Sequence, residues 1–208
     1  MNLQSNFQRH PAAFLVLLAI LFGLGGCASP TTVADLTPAS MPKDAEIQPM
    51  QGSIEVRTAV PSETTRPTYV VMPLQKWIDS DKLKQAIEQS VRQFSAFGEV
   101  KQSNADYVLE VWLDKVQNAL DIPGGVFIFD FTSVWRLTRV QDGKVLACEF
   151  VKGHGEGSGL ASKAYPPGIK AATHEIIQKG LAAITDQSQS HLSALSTAGN
   201  RASIQPAN

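Results

Sequence analysis

The sequence lacks a charge excess of either sign. Its 208 residues include 18 basic and 19 acidic side chains, which gives a formal net charge of −1. Nucleic-acid-binding domains carry a clear basic excess, so this composition does not favour nucleic acid as a partner. No cluster of basic residues favours binding to anionic lipid headgroups either. Neither nucleic acid nor an anionic lipid surface is therefore indicated as a partner by the charge of the chain.

The sequence also lacks a hydrophobic run long enough to cross a membrane comfortably as a permanent helix. The apolar stretch near the start covers residues 12–24, whereas a membrane-spanning helix needs about 20 residues. Arg9 precedes this stretch, and the small residues Gly25 and Gly26 follow it. A positive start, an apolar centre and a small-residue end predict an export signal over residues 1–26.

Leu24, Gly25 and Gly26 lead directly into Cys27, and these four residues resemble a bacterial lipobox. The resemblance implies cleavage before Cys27, which then becomes an acylated N-terminus. Each buried CH₂ of an acyl chain adds about 0.8 kcal/mol, so several chains hold a protein on lipid almost permanently. Ala28 follows the cysteine in place of aspartate, which implies the periplasmic side of the outer membrane. The alternatives are an ordinary secreted protein and a short N-terminal membrane span.

Cysteine is scarce, since Cys27 and Cys148 are the only two in the chain. If Cys27 is acylated, Cys148 has no disulfide partner, and the fold must depend on a hydrophobic core. Cys148 lies in the strand-like run of residues 145–150. This position favours a small buried side chain over a reactive thiol.

Composition divides the mature chain into three parts. Residues 27–52 contain the cysteine and then four prolines among small and polar residues, which predicts a flexible tether. A coil of this length reaches roughly 25–30 Å, so the folded part is expected to stand off the membrane. Residues 53–186 carry periodic apolar patterns and form the predicted domain. Residues 187–208 are rich in serine, alanine and glutamine, which predicts a disordered tail, with a short extension of the last helix as the alternative.

Hydrophobic periodicity predicts the element order β-β-α-β-β-β-α. An amphipathic stripe that starts near Ser80 indicates the first helix, with Gly98 as its C-terminal cap, and Pro166 and Pro167 open the last helix. The strands alternate between apolar and polar residues. We therefore predict an α+β two-layer sandwich, in which two helices cover one face of a mainly antiparallel sheet of about five strands. The predicted strands cover residues 54–60, 68–72, 107–114, 126–140 and 144–151.

The chain resembles the auxiliary lipoproteins of ABC-type transporters. The resemblance is carried by the lipobox, by the helix of residues 83–94 that leads into Ala-Asp-Tyr at residues 105–107, and by the closing strand, glycine-rich segment and helix up to Ile184. The same α+β domain occurs in lipoproteins of secretion pores and of cell-wall synthase activation. The resemblance implies a protein that acts by binding an envelope complex, and it supplies no catalytic residue and no cofactor.

Glycines alternate from Gly153 to Gly159, after a predicted strand and before a predicted helix. A dinucleotide-binding turn needs G-X-G-X-X-G, and the sixth position here is Ser158 or Leu160, so a mobile loop is the favoured interpretation. His154 and Glu156 within it are candidates for a catalytic acid–base pair or for metal ligands. A zinc site needs three or four ligands and no spacing supplies them, so we expect a solvated histidine and no metal.

Aromatic residues follow one parity in the region from Phe127 to Trp135, and the favoured interpretation is sheet core beneath the helices. The alternative is a partly exposed apolar groove that meets a lipid or a partner protein. The candidate surface then comprises Trp77, Pro123, Gly124, Gly125, Phe127 and His154.

Three functions remain open from the sequence. The first is a non-enzymatic accessory lipoprotein that contacts an envelope protein complex. The second is a carrier of lipid or of another hydrophobic substrate, which requires a cavity or an exposed apolar patch. The third is an envelope hydrolase that uses His154 and Glu156. The first is preferred, because the predicted anchor and the single small domain suit it.

Overall fold

A computed structural model describes residues 31–43, 45–61, 77–121, 125–159 and 161–202. Several sequence predictions lie outside these residues. They are the signal, the lipobox with Cys27, the strand expected at residues 68–72, and the turn residues Pro123 and Gly124.

The described chain forms one five-stranded sheet with three helices. The strand order is β2-β1-β3-β4-β5. β1 is parallel to both of its neighbours, whereas β3, β4 and β5 are antiparallel in turn. The elements are α1 (Val33–Leu36), β1 (Met50–Ala59), α2 (Ser80–Gln93), β2 (Phe97–Val100), β3 (Tyr107–Asp121), β4 (Val126–Arg139), β5 (Val145–Ser158) and α3 (Ala161–Ala202).

The predicted α+β two-layer sandwich is confirmed, with a mixed sheet. Helix α2 packs on β1 and β2, and α3 packs on β4 and β5. The element order differs from the prediction because residues 97–100 form the edge strand β2. Gly98 lies within that strand and does not cap α2. The helix ends earlier, and Ser95 takes the left-handed conformation with φ +53°.

Alternation along the strands builds the core as predicted. The odd-numbered side chains of β4 from Phe127 to Leu137 are all buried on the helix-covered face. The first half of β3 follows the same parity, with Leu109 and Val111 buried. An irregularity in register between Leu113 and Lys115 then shifts the parity by one residue. Such a bulge exchanges the two faces for the side chains that follow it, so that Val116, at an even-numbered position, points into the core.

The amphipathic stripe of α2 is also as predicted. Leu83, Ala86, Ile87 and Val91 are fully buried. The N-cap is Asp79, one residue before the expected Ser80, and its carboxylate accepts a hydrogen bond from the Lys82 N–H at 2.8 Å. A cap of this kind stabilises a helix by about 1 kcal/mol.

The alternating glycines form the end of β5, so the expected mobile loop is wrong. Gly153, Gly155 and Gly157 lie directly opposite Phe131, Phe129 and Phe127 of β4, respectively. A Cβ atom on Gly155 would be only 2.0 Å from the Gly168 carbonyl oxygen of α3. The glycines therefore let the backbone of α3 lie directly on the strand, while the phenylalanines beside them fill the remaining space.

Helix α3 is longer at both ends than the sequence predicts. It begins before Pro166 and Pro167, and it continues through most of the segment expected to be a disordered tail. Polar contacts hold part of that extension, because the Gln187 side chain accepts a hydrogen bond from the Cys148 N–H at 2.9 Å. Despite its length, neither this helix nor another in the described ranges has the apolar composition to cross a membrane.

Residues 31–43, which we call the N-terminal segment, differ most from expectation. Proline predicted a flexible tether, yet α1 packs on α2 and α3, and Leu36 is fully buried. Thr32 and Asp35 form a reciprocal capping box that starts α1. Local composition missed this segment because its apolar contacts are with distant helices rather than along its own sequence.

Candidate functional site

The helices cover one face of the sheet, and side chains of the opposite parity form the second face. We call this second face the outer sheet face. On β4 it comprises the even-numbered positions from Ile128 to Thr138, and on β5 those from Cys148 to Ser158. Most of these side chains are partly or fully exposed, so this face is the accessible part of the sheet.

An apolar row crosses the outer sheet face. Trp112 of β3 is paired with Val134 of β4, and Val134 is paired with Phe150 of β5. Val134 is buried between its neighbours, whereas the Phe150 residue is 72% exposed. We call these three residues the apolar row. Aromatic side chains that are exposed beside other apolar groups are typical of interaction surfaces.

Charged side chains border the apolar row. Arg136 Nε donates to Glu110 Oε2 at 2.7 Å across the β3–β4 pair, and a second guanidinium nitrogen contacts the same oxygen. The guanidinium carbon also lies 5.8 Å from the centre of the Trp112 ring, within the range of a cation–π contact. The Glu110 contacts therefore hold the Arg136 guanidinium over the Trp112 ring at the border of the row.

Cys148 lies next to Arg136 on the outer sheet face and is exposed. The sequence favoured a small buried side chain here, and that prediction is wrong. The irregularity in register between Leu137 and Thr138 explains the difference. It sets the parity of β5 so that Ala147 enters the core and Cys148 faces solvent.

His154 lies between two carboxylates on the same face. Its Nδ1 is 2.8 Å from Asp130 Oδ1, and its Nε2 is 3.2 Å from Glu156 Oε1. Hydrogen bonding to Asp130, and then to Glu156, raises the pKa of His154 because both favour the charged imidazolium. Only the protonated ring donates from both nitrogens. The arrangement is therefore a pH-sensitive ion cluster.

Metal binding is not indicated by this cluster. Within the described ranges, no group of three or more histidine, cysteine, aspartate or glutamate side chains is placed to hold a metal ion. Both His154 ring nitrogens already contact carboxylates. A shallow depression of about 380 Å³ lies beside the cluster, with Gln117, Thr132 and Lys152 in its wall.

The free edge of β5 is covered by side chains of α3. Glu175 accepts a hydrogen bond from the His154 backbone N–H at 2.5 Å, and Gln187 accepts one from the Cys148 N–H. Burial raises the pKa of Glu175, but hydrogen bonds from Lys179 and from the His154 N–H outweigh it, so the net shift is downward. Occupied edge groups hinder strand addition. The outer sheet face is thus more accessible to a partner than the β5 edge.

The structure separates the residues of the predicted candidate surface. Trp77 and Phe127 do come together, because both rings contact the Tyr165 ring. The distance between ring centres is 6.2 Å from Trp77 to Tyr165 and 5.0 Å from Phe127 to Tyr165. Both are buried in the core. Gly125 occupies the β3–β4 connection with φ +59°, and His154 lies on the opposite face of the sheet from Phe127.

The apolar row was not among the sequence candidates. The sequence nevertheless contained an indication of this row, since Trp112 lies among the alternate positions of β3 that carry polar residues. Val134 and Phe150 are apolar at solvent-facing positions of their own strands. Large apolar residues on the wrong parity therefore indicated this surface, but the alignment of the strands was needed to place them side by side.

Comparison with known proteins gives structural matches only. No family model matches the sequence, and no curated protein matches it. The fold resembles protein XCC0632 from Xanthomonas campestris, family-model DUF330, with a TM-score of 0.60, 11% identity, and coverage of 76% of this chain and 96% of that one. This match shows a shared fold.

Two weaker similarities have TM-scores too low to support an argument. A PelC dodecamer from Paraburkholderia phytofirmans has a TM-score of 0.39 and 17% identity, with 71% of this chain and 96% of that chain covered. A candidate lipoprotein from Caulobacter crescentus CB15 has a TM-score of 0.32 and 14% identity, with 73% and 93% covered.

Proposed function

We propose that this protein is a lipid-anchored accessory protein of the bacterial envelope that binds a partner protein through its outer sheet face. It acts by contact rather than by catalysis, as an auxiliary component of an ABC-type transport or assembly complex at the periplasmic side of the outer membrane. The exposed Phe150 ring in the apolar row is the observation that carries the proposal. Cys27 supplies the anchor.

The energetics of Phe150 explain why this position supports a contact function. Burial of a phenylalanine side chain is worth about 1.5–3 kcal/mol, and this ring gains little of it in the isolated chain. The Arg136 guanidinium already lies over the Trp112 ring, and this cation–π contact favours the ring position that a partner would meet. Aromatic residues at such positions frequently dominate the binding energy of an interface.

Cys148 provides a native probe for this proposal. Once Cys27 is acylated, Cys148 is the only cysteine thiol in the mature chain. It lies two residues from Phe150 on the same face. Isolated outer membranes are treated with a maleimide–benzophenone reagent and irradiated. We expect Cys148 to cross-link to a partner protein.

Two variants make the cross-linking experiment specific. Phe150→Ser is expected to abolish the product without unfolding the domain, because the ring is largely exposed. The matched control combines Cys148→Ser with Gln85→Cys, which moves the thiol to the exposed side of α2. The proposal fails if the Gln85→Cys thiol gives the same product as Cys148, or if Phe150→Ser leaves the product unchanged.

A further inference from the structure

The N-terminal segment is fixed to the helices by hydrogen bonds along its length. The His174 Nε2–H donates to the Asp35 carbonyl at 2.8 Å, and the Gln93 side chain donates to the Ala39 carbonyl at 2.8 Å. Thr37 donates to the Gln89 side chain at 3.0 Å. The first described residue, Thr31, is only 4% exposed. Residue 31 is therefore already part of the folded body.

Very little chain separates this residue from the proposed anchor. Ala28, Ser29 and Pro30 are the only residues between Cys27 and Thr31. Consecutive Cα atoms are 3.8 Å apart, so these four steps span at most about 15 Å. A flexible tether over the whole 27–52 region would have a root-mean-square reach of roughly 25–30 Å, which already exceeds this upper limit.

We propose that the protein lies against the lipid bilayer with the helix side that carries α1, and that it turns the outer sheet face toward the periplasm. This inference rests on the proposed anchor at Cys27. The partner of the α1 side is the phospholipid headgroup layer, to which residue 31 is held by the short connection. The body cannot stand off the membrane while the N-terminal segment remains docked.

The layer order of the fold defines the orientation. α1 packs on α2 and α3, and these two helices pack on the sheet. The outer sheet face is therefore separated from α1 by a helix layer about 10 Å thick and by the sheet itself. An anchor on the α1 side leaves the apolar row accessible to an envelope protein.

Lipids with a reactive headgroup test this orientation. The full mature protein, purified with its acyl chains, is reconstituted into phosphatidylcholine vesicles that contain maleimide-functionalised phosphatidylethanolamine. One sample has the native Cys148 thiol on the outer sheet face. The second combines Cys148→Ser with Ala34→Cys, which places the thiol at an exposed position of α1. We expect the lipid to conjugate to the thiol at position 34 and not to the thiol at position 148.

Two controls separate orientation from accessibility. A soluble maleimide is expected to label both thiols, because both positions are exposed. Insertion of a 25-residue Gly/Ser spacer between Pro30 and Thr31 should let both positions reach the lipid, because such a coil spans about 25–30 Å. The inference is overturned if the unmodified spacing gives equal conjugation at both positions, or conjugation at Cys148 alone.

Failure of the anchor has a different signature. If the protein does not float with the vesicles, or if Cys27→Ser floats equally well, the proposed lipidation is wrong and the orientation falls with it. If the wild-type protein floats and the conjugation pattern is equal at the two positions, only the orientation is wrong.

Discussion

The Asp106 carboxylate and Ser53 bind each other reciprocally. Asp106 Oδ2 accepts hydrogen bonds from the Ser53 N–H and hydroxyl, both at 2.7 Å, and the Ser53 oxygen accepts one from the Asp106 N–H at 3.1 Å. The contact joins the starts of β1 and β3, whose parallel register begins with Ile54 opposite Tyr107. Asp106 of the Ala-Asp-Tyr sequence thus has a structural role, since it joins the two strands where their paired register begins.

We predict that Asp106→Ala lowers the melting temperature at neutral pH. The Ser53 N–H, and then its hydroxyl, hold the pKa of Asp106 below its usual value. A carboxylate with a lowered folded-state pKa contributes stability above its unfolded pKa, and this contribution disappears as the pH falls through the folded value. The difference in melting temperature between wild type and Asp106→Ala should therefore become smaller below about pH 4. Asp114→Ala is the control, and an equal effect there would contradict the assignment.

Gly155→Ala should destabilise the domain strongly. The added methyl group would overlap the Gly168 carbonyl oxygen on the α3 backbone, which has no flexible side chain to move aside. Overpacking of this kind costs about 1–3 kcal/mol and sometimes more. Urea unfolding measures the change. Ser158→Ala on the opposite face of β5 should have little effect, and similar midpoints for the two variants would disprove close helix–strand packing.

Leu36→Ala tests whether the N-terminal segment belongs to the fold. Its side chain is fully buried, so truncation should cost about 2–5 kcal/mol in the free energy of unfolding. A flexible tether would give no change. Lys43→Ala, at an exposed position of the same segment, is the matched control. Both are measured from urea transitions of the purified protein.

His154 should make stability depend on pH in one direction. Asp130 and Glu156 raise its pKa, and Glu175 faces its backbone from α3. A raised folded-state pKa gives stability that is complete below the unfolded value of about 6.5 and is lost as the pH rises through the folded value. Wild type should thus exceed His154→Gln in melting temperature at pH 5.5. This difference in melting temperature should be smaller at about pH 8. A difference that stays the same across this pH range would exclude the ion cluster.

His174 should act in the opposite direction. Burial lowers its pKa and outweighs the hydrogen bond to the Asp35 carbonyl, and Lys170 adds to the lowering. The neutral ring is preferred in the fold, so its contribution is present above about pH 6.5 and is lost as the pH falls. Wild type should therefore lose stability relative to His174→Gln between pH 7 and 5. The two histidine variants serve as controls for each other.

Local patterns predicted much of the core but little of the candidate surface. The alternation from Phe127 to Leu137 and the stripe from Leu83 to Val91 depend only on neighbouring residues, and both were recognised. Phe150 was missed because its significance depends on Val134 and Trp112 in other strands. The N-terminal segment was missed for the same reason, since Leu36 contacts helices far away in the chain.

Local sequence patterns were enough to predict the α+β class, the two amphipathic helices and the buried parity of the central strands, because side-chain periodicity along a helix or strand depends on neighbouring residues. Only the packed fold shows that alternating glycines form a strand beneath α3, that Cys148 faces solvent, and that residues 31–43 are docked on the helices. Each of these outcomes depends on which distant element covers a given backbone or side chain. That choice is made by long-range packing and strand register, which local composition does not encode.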